Sequence, residues 1–307
     1  MPESLHGQRV VVTGATGLVG APLVAALEQV GAQVIRGVRR PVRDASREMY
    51  WNASAGEIES GKLEGVAAVV HLAGENIAGH RWTKAFKDEI RTSRVKGTHL
   101  IAGAIAHATN KPPAFVCASA IGYYGNRGDE LLTEASPSGR DFLADVCREW
   151  EKACQPARDA GVRVVNARIG VILSPKGGAL AKMLTPFKLG LGGKIGDGRQ
   201  YMSWIALDDV VAALQFLVTA STVSGAVNLT APNPVTNAEF TATLGRVLSR
   251  PTIFPMPAFA ARLAFGEMAD ALLLSSTRVA PPVLAGAGYN FHDPRLEPAL
   301  RRMLGRA

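Results

Sequence analysis

Arg9-Val10-Val11-Val12-Thr13, followed by Gly14-Ala15-Thr16-Gly17-Leu18-Val19-Gly20, is the stretch on which the reading of this chain depends. The β-branched run reads as a buried parallel strand, and the glycines after it open an amphipathic helix that ends near Val30-Gly31. A turn between such a strand and helix must tolerate positive φ and let a pyrophosphate approach the backbone. The free N–H groups and dipole of the helix N-terminus then stabilise the phosphate charge. The glycines fall as Gly-x-x-Gly-x-x-Gly, not as the commoner Gly-x-Gly-x-x-Gly, and glycine turns also occur without ligands. The flanking strand and helix supply the context that the motif requires. On this reading Gly14, Ala15, Thr16, Gly17, Leu18 and Val19 line a dinucleotide site.

The chain has 307 residues, enough for one large domain or two smaller ones. Its apolar runs, such as 66–70 and 271–274, fall far short of the ~20 residues needed to span a bilayer. No charged-then-apolar leader precedes the first strand, so a cytoplasmic protein without a membrane partner is expected. Cys117, Cys147 and Cys154 make an odd count without metal-ligand spacing; buried reduced thiols are expected, with no disulfide and no metal site. The formal charge of +8 would suit an acidic partner, but the basic residues are scattered and not interleaved with aromatics. That pattern reads as a solvated basic surface, not a nucleic-acid interface.

Downstream of the first helix, residues 33–38 read as a second strand, which places Val38, Arg39 and Arg40 where an NAD-specific protein usually puts an acid for the ribose hydroxyls. Arginine there suits a 2′-phosphate and hence NADP, although an ordinary exposed loop pair would look the same. Residues 41–65 are polar, with Trp51 isolated. Residues 66–72 form another buried strand, and the small residues that follow set Leu72, Ala73 and Gly74 beside the cofactor. A helix spans about 85–107 with Arg94 at the edge of its inward face; the guanidinium either snorkels past apolar neighbours or reaches an anion. Glu89 and Lys87 are its possible partners, or surface charges.

Residues 114–118 are a strand, and Ser119, Tyr123 and Tyr124 follow it at the same carboxyl edge. They can serve a substrate carbonyl or hydroxyl and supply a proton, or the tyrosines can anchor a loop. A helix over about 141–160 and a strand over 163–168, leading to Ile172, continue the alternation. Alternating strands and helices mean an α/β protein with a doubly wound parallel sheet. From Ser174 the pattern becomes an irregular glycine-rich insert; Asp208-Asp209 then begins a helix and residues 226–229 look like a last strand. Asn237 is expected to cap a helix ending before Arg250-Pro251. The proline-punctuated remainder reads as a small helical domain closing over the crevice.

Together the glycine motif, HLAG at 71–74, Arg94-Val95-Lys96-Gly97-Thr98, Tyr124-Gly125 and the Asp208-Asp209 helix resemble the extended short-chain dehydrogenase/reductases over nearly the whole chain. More narrowly, GENIAGHRWT at 74–83, SAIGYYG at 119–125, PFKLGLGGKIGDGRQYMSWI at 186–205 and APNPVTNAEF at 231–240 look like the YfcH-type epimerase-family proteins. The resemblance implies an NADP-binding Rossmann domain, here 1–172 and 206–230, with a smaller, mostly helical substrate domain, here 173–205 and 231–307.

One departure bears on mechanism. Such enzymes carry Tyr-x-x-x-Lys on the helix at 141–160, where lysine lowers the tyrosine pKa. Aligned on Glu151, this chain has Leu143 and Cys147 at the two positions, with the spacing of a packed helix face. Ser119 matches the family's substrate-binding serine or threonine, Arg94 stands at the asparagine of Asn-Val-x-Gly-Thr, and Arg81 or Arg199 can hold an acidic group on the substrate. The expected activity is NADP(H)-dependent oxidoreduction or epimerisation of a small carbonyl or hydroxyl compound by a monomer or homodimer. The alternative is a catalytically silent NADP(H)-binding regulator.

Overall fold

Val10, Val11 and Val12 are fully buried and point alternately to opposite faces of one sheet, because successive strand side chains alternate. A computed structural model describes residues 5–306, and β1 (Arg9–Thr13) lies in the interior of its main sheet. The chain continues through α1 (Gly20–Gln29), β2 (Gln33–Val38), β3 (Glu48–Asn52), β4 (Glu57–Ile58), β5 (Ala68–His71), α2 (Lys84–His107), β6 (Ala114–Ala120) and β7 (Leu131–Leu132). Then come α3 (Phe142–Lys152), α4 (Gln155–Asp159), β8 (Arg163–Ile169), β9 (Val171–Leu173), α5 (Gly178–Lys188), β10 (Tyr201–Met202), β11 (Trp204–Ala206), α6 (Leu207–Thr219) and β12 (Gly225–Leu229). The C-terminal part holds β13 (Val235–Thr236), α7 (Asn237–Leu248), α8 (Ala258–Phe265), α9 (Glu267–Leu272), β14 (Arg278–Val279), α10 (Pro282–Gly286) and α11 (Leu296–Leu304).

Eight strands form the sheet in the order β12-β8-β6-β5-β1-β2-β3-β4. All neighbours run parallel except β3 and β4, and the order reverses direction at β1, which is the switch point where α/β sheets bind ligands. Val10 and Val12 pack with Leu23 and Leu27 of α1 and Leu214 and Leu217 of α6. Val11, Val69 and Phe115 pack on the other face with Ile101 and Ile105 of α2 and with Trp150 of α3. A separate core joins α5, α7 and α11 through Leu184, Phe187, Phe240, Leu244 and Leu300. No helix among the described residues is long and apolar enough to cross a membrane.

Four local expectations are corrected. The polar segment 41–65 contains β3 and β4, and Trp51 is buried against α2, where a Cβ on Gly97 would lie 3.2 Å from its ring. The helix expected over 141–160 breaks at Ala153-Cys154, and Pro156 occupies the first turn of α4, where its missing N–H costs nothing. The insert after Ser174 contains α5, with Pro186 accommodated near its C-terminal end. Thr236, not Asn237, caps α7 in a reciprocal capping box with Glu239, while the Asn237 side chain accepts the Ile195 N–H at 2.7 Å.

Candidate active site

The turn after β1 is tight enough that two of its glycines leave no room for a side chain. Gly14 has φ +67°, and a Cβ there would meet the Ala73 nitrogen at 2.9 Å; one on Gly20 would stand 2.1 Å from the Gly14 carbonyl oxygen. Glycine is therefore required twice, once for conformation and once for contact. No side chain caps α1 and its first turn carries no acid, so its dipole faces the turn without a local carboxylate. A Cβ on Gly177 would stand 3.1 Å from the Leu18 side chain, and one on Gly178 would stand 3.3 Å from it and 3.5 Å from the Ile172 carbonyl oxygen. The segment entering α5 therefore sits directly against the turn.

At the end of β2 the two arginines part company. Both Glu48 oxygens accept from Arg40, the Arg43 N–H adds a bond at 2.8 Å, and these donors hold the Glu48 carboxyl down at about 2. Arg40 thus fastens its loop to β3, with 41% of its side chain still exposed. Arg39, next to Val38, is exposed and forms no ion pair among the described residues.

Leu72, Ala73 and Gly74 leave β5 beside Gly14. Arg94 reaches this loop from α2: it donates to the Glu75 carbonyl at 2.9 Å and the Ile90 carbonyl at 3.1 Å, and lies over the Trp150 ring at 5.0 Å. Burial lowers its pKa, opposed by Cys147 and Glu75. It therefore positions the loop as a charge-bearing brace. Glu89 stands exposed on α2, and neither hydrogen bond of the Arg94 guanidinium goes to it.

The carboxyl edge of β6 and β8 holds a buried polar chain. Ser119 donates to Glu151 at 2.7 Å, and Glu151 receives two guanidinium bonds of 2.8 Å from Arg168. Arg168 also donates to the Tyr124 hydroxyl at 3.1 Å, and Tyr124 donates to Asn228 at 2.7 Å. Burial opposes the Arg168 charge, but Glu151 and Tyr124 outweigh it and raise its pKa. Burial also raises the pKa of Tyr124, a side chain with no exposed surface. Tyr124 is an anchor of this network and not a substrate proton donor. Tyr123 is half-buried, its ring lies 3.4 Å under the Arg168 guanidinium, and its hydroxyl bonds to none of the described residues.

Leu143 and Cys147 pack toward Gly122: Leu143 belongs to an apolar cluster with Trp82, Phe86 and Ile90, and burial pushes the Cys147 thiol up to about 12. The structure gathers the glycine turn, Leu72 to Gly74, Ile172 and Ser119 with Tyr123 along one edge of the sheet. Arg81 lies beside Gly266 and Arg199 on the loop before β10; both are exposed, and neither joins the Ser119 network. Reasoning from the sequence missed Glu151, Arg168 and Asn228 as site residues. The available signal was Arg168 itself, a charge ending an apolar strand, which must find a partner when buried.

Comparison with known proteins agrees with this geometry. The NAD dependent epimerase/dehydratase family matches residues 10–229, and a domain of unknown function (DUF1731) matches 256–303. Epimerase family protein Mb2239 of Mycobacterium bovis is 47% identical over 291 residues, covering 95% of this chain and 96% of that protein. A chloroplastic SDR39U1 homolog of Arabidopsis thaliana is 39% identical, covering 96% and 86%. The crystal structure of human epimerase family protein SDR39U1 with NADPH superposes with a TM-score of 0.89 at 35% identity, covering 97% of this chain and 100% of that one. By these matches, the chain belongs to the NAD-dependent epimerase/dehydratase family.

Proposed function

We propose that this chain is an NADP(H)-dependent oxidoreductase or epimerase-like enzyme acting on a small carbonyl or hydroxyl compound. Residues 1–172 and 206–230 would bind the cofactor and 173–205 and 231–307 would close over the substrate; residues 1–4 and 307 of these ranges lie outside the described ones. The observation that carries the proposal is the Ser119–Glu151–Arg168 chain on the sheet edge that also bears the glycine turn. The NADPH of the human relative and the absence of room for side chains at Gly14 and Gly20 support the cofactor.

In this scheme Gly14 to Val19 hold the pyrophosphate, Val38 and Arg39 meet the phosphorylated ribose, and Leu72, Ala73, Gly74 and Ile172 flank the dinucleotide. Arg94 holds the 74–75 loop. The nicotinamide, when bound, supplies or accepts the hydride. Because the Ser119 hydrogen is committed to Glu151, its lone pairs are left for a substrate hydroxyl. Tyr123 moves the proton, and Arg81 or Arg199 binds an acidic substituent.

The test is stereospecific NADPH oxidation across a panel of carbonyl compounds with the wild type, Ser119→Ala and Tyr123→Phe. Turnover on at least one compound is expected, falling on the order of 100-fold in each variant; unchanged turnover removes that residue from the mechanism. Leu143 and Cys147 in place of the tyrosine–lysine pair favour a second reading, a silent NADP(H)-binding regulator. Tight NADPH binding without turnover on any compound would support it.

A further inference from the structure

Large apolar side chains are exposed on three segments, two of them in the C-terminal part. Leu189 and Leu191 follow α5, Ile253 and Phe254 follow α7, and Phe259 and Leu263 stand one turn apart on α8. Ile253 and Phe259 are each 71% exposed and Leu263 is 78% exposed, whereas only Ala261 of α8 is buried. The segments are tied into one surface: the Met256 N–H donates to the Lys194 carbonyl at 2.9 Å, the Gly196 N–H to the Met256 carbonyl at 2.9 Å, and Arg250 to the Lys188 carbonyl at 2.8 Å. A joined apolar face of this kind on a water-facing helix implies something that covers it.

The charges nearby limit what that is. Lys188, Lys194 and Arg250 are exposed on these segments and enter no ion pair among the described residues, and the whole chain carries +8. Arg262 of α8 pairs with Asp270. A second copy would present the same unpaired cations on its matching face, which disfavours pairing through it. Aromatic and leucine side chains rimmed by lysine and arginine instead suit an anionic bilayer surface, where the apolar groups enter the headgroup boundary and the cations meet lipid phosphates. We propose that the face formed by 189–191, 253–254 and α8 docks this protein on anionic membrane surfaces. No helix among the described residues is long and apolar enough to cross a membrane, so the attachment proposed is to the surface.

Flotation with phosphatidylcholine–phosphatidylglycerol vesicles and with pure phosphatidylcholine vesicles tests the proposal. The wild type, Phe259→Ser/Leu263→Ser and Lys188→Glu/Arg250→Glu are compared, with melting temperature and NADPH binding as controls for folding. The wild type is expected to float with the anionic vesicles and about tenfold less with the neutral ones, and each double variant to lose about tenfold while its melting temperature and NADPH binding hold. The proposal is overturned if the wild type stays at the bottom with both vesicles, or if the variants float as it does. A concentration-dependent dimer abolished by Phe259→Ser/Leu263→Ser, without flotation, would overturn it in favour of a second copy.

Discussion

The Arg168 side chain is 4% exposed and that of Glu151 14%, so the guanidinium depends on its carboxylate for a counter-charge. Replacing Glu151 by Gln keeps the shape but leaves a buried guanidinium without its counter-charge. Stability measured by urea unfolding should fall by about 3 kcal/mol; a loss below about 1 kcal/mol would mean that the pair is not the structural centre of this edge.

His71, fully buried between Trp51 and Phe115 and bonded through Nδ1 to Thr13, is the second informative residue. Burial depresses its pKa from 6.5 to about 3. The unfolded chain therefore takes up the proton first as pH falls, so the neutral ring's contribution is complete above about pH 6.5 and is lost on acidification toward 3. Between pH 6.5 and 5 this one group should cost about 2 kcal/mol of stability. His71→Asn, which can keep the bond to Thr13 without titrating, should flatten that slope; equal slopes would refute the assignment.

Among the elements, those carried by long periodic patterns were legible: β1, β2, α1 and α2 lie within a residue or so of where hydrophobic spacing puts them. The illegible ones are short or held by distant partners. The burial of Trp51 could not be read locally, because it comes from His71 on β5 and from Gly97, 46 positions away on α2. Asp209 is a first-turn acid of α6, as its place in the sequence implies, but its partners are distant: it accepts from Tyr289 and from the N–H groups of His292 and Asp293, and so fastens the tail to α6. Of the candidate site, the glycine turn and Ser119 could be read from spacing and resemblance. The ion pair beneath them could not, since Glu151 and Arg168 meet only in the folded packing of α3 on β8. Glycines in helices divide the same way. Gly97 is confined by Trp51, whereas Gly103, also within α2, has no atom within 4 Å of its missing Cβ. Gly103→Ala should therefore raise stability by about 0.5–1 kcal/mol in thermal unfolding, and a loss instead would expose a constraint not visible at that position.

At the scale of the molecule, one sheet edge collects contributions from segments far apart in sequence. The turn after β1, the loop after β5 and the entry to α5 converge on the same crevice, and Leu18 close to Gly177 and Gly178 joins the cofactor side to the start of α5. The central claim is that this crevice holds NADP(H) and that Arg39, freed by the commitment of Arg40 to Glu48, reads the 2′-phosphate. Fluorescence titration of the wild type and Arg39→Asp with NADPH and with NADH tests it most directly. The wild type should prefer NADPH, and the variant should lose about tenfold or more in NADPH affinity while keeping its affinity for NADH; equal losses for the two nucleotides, or a wild type that binds both alike, would contradict it.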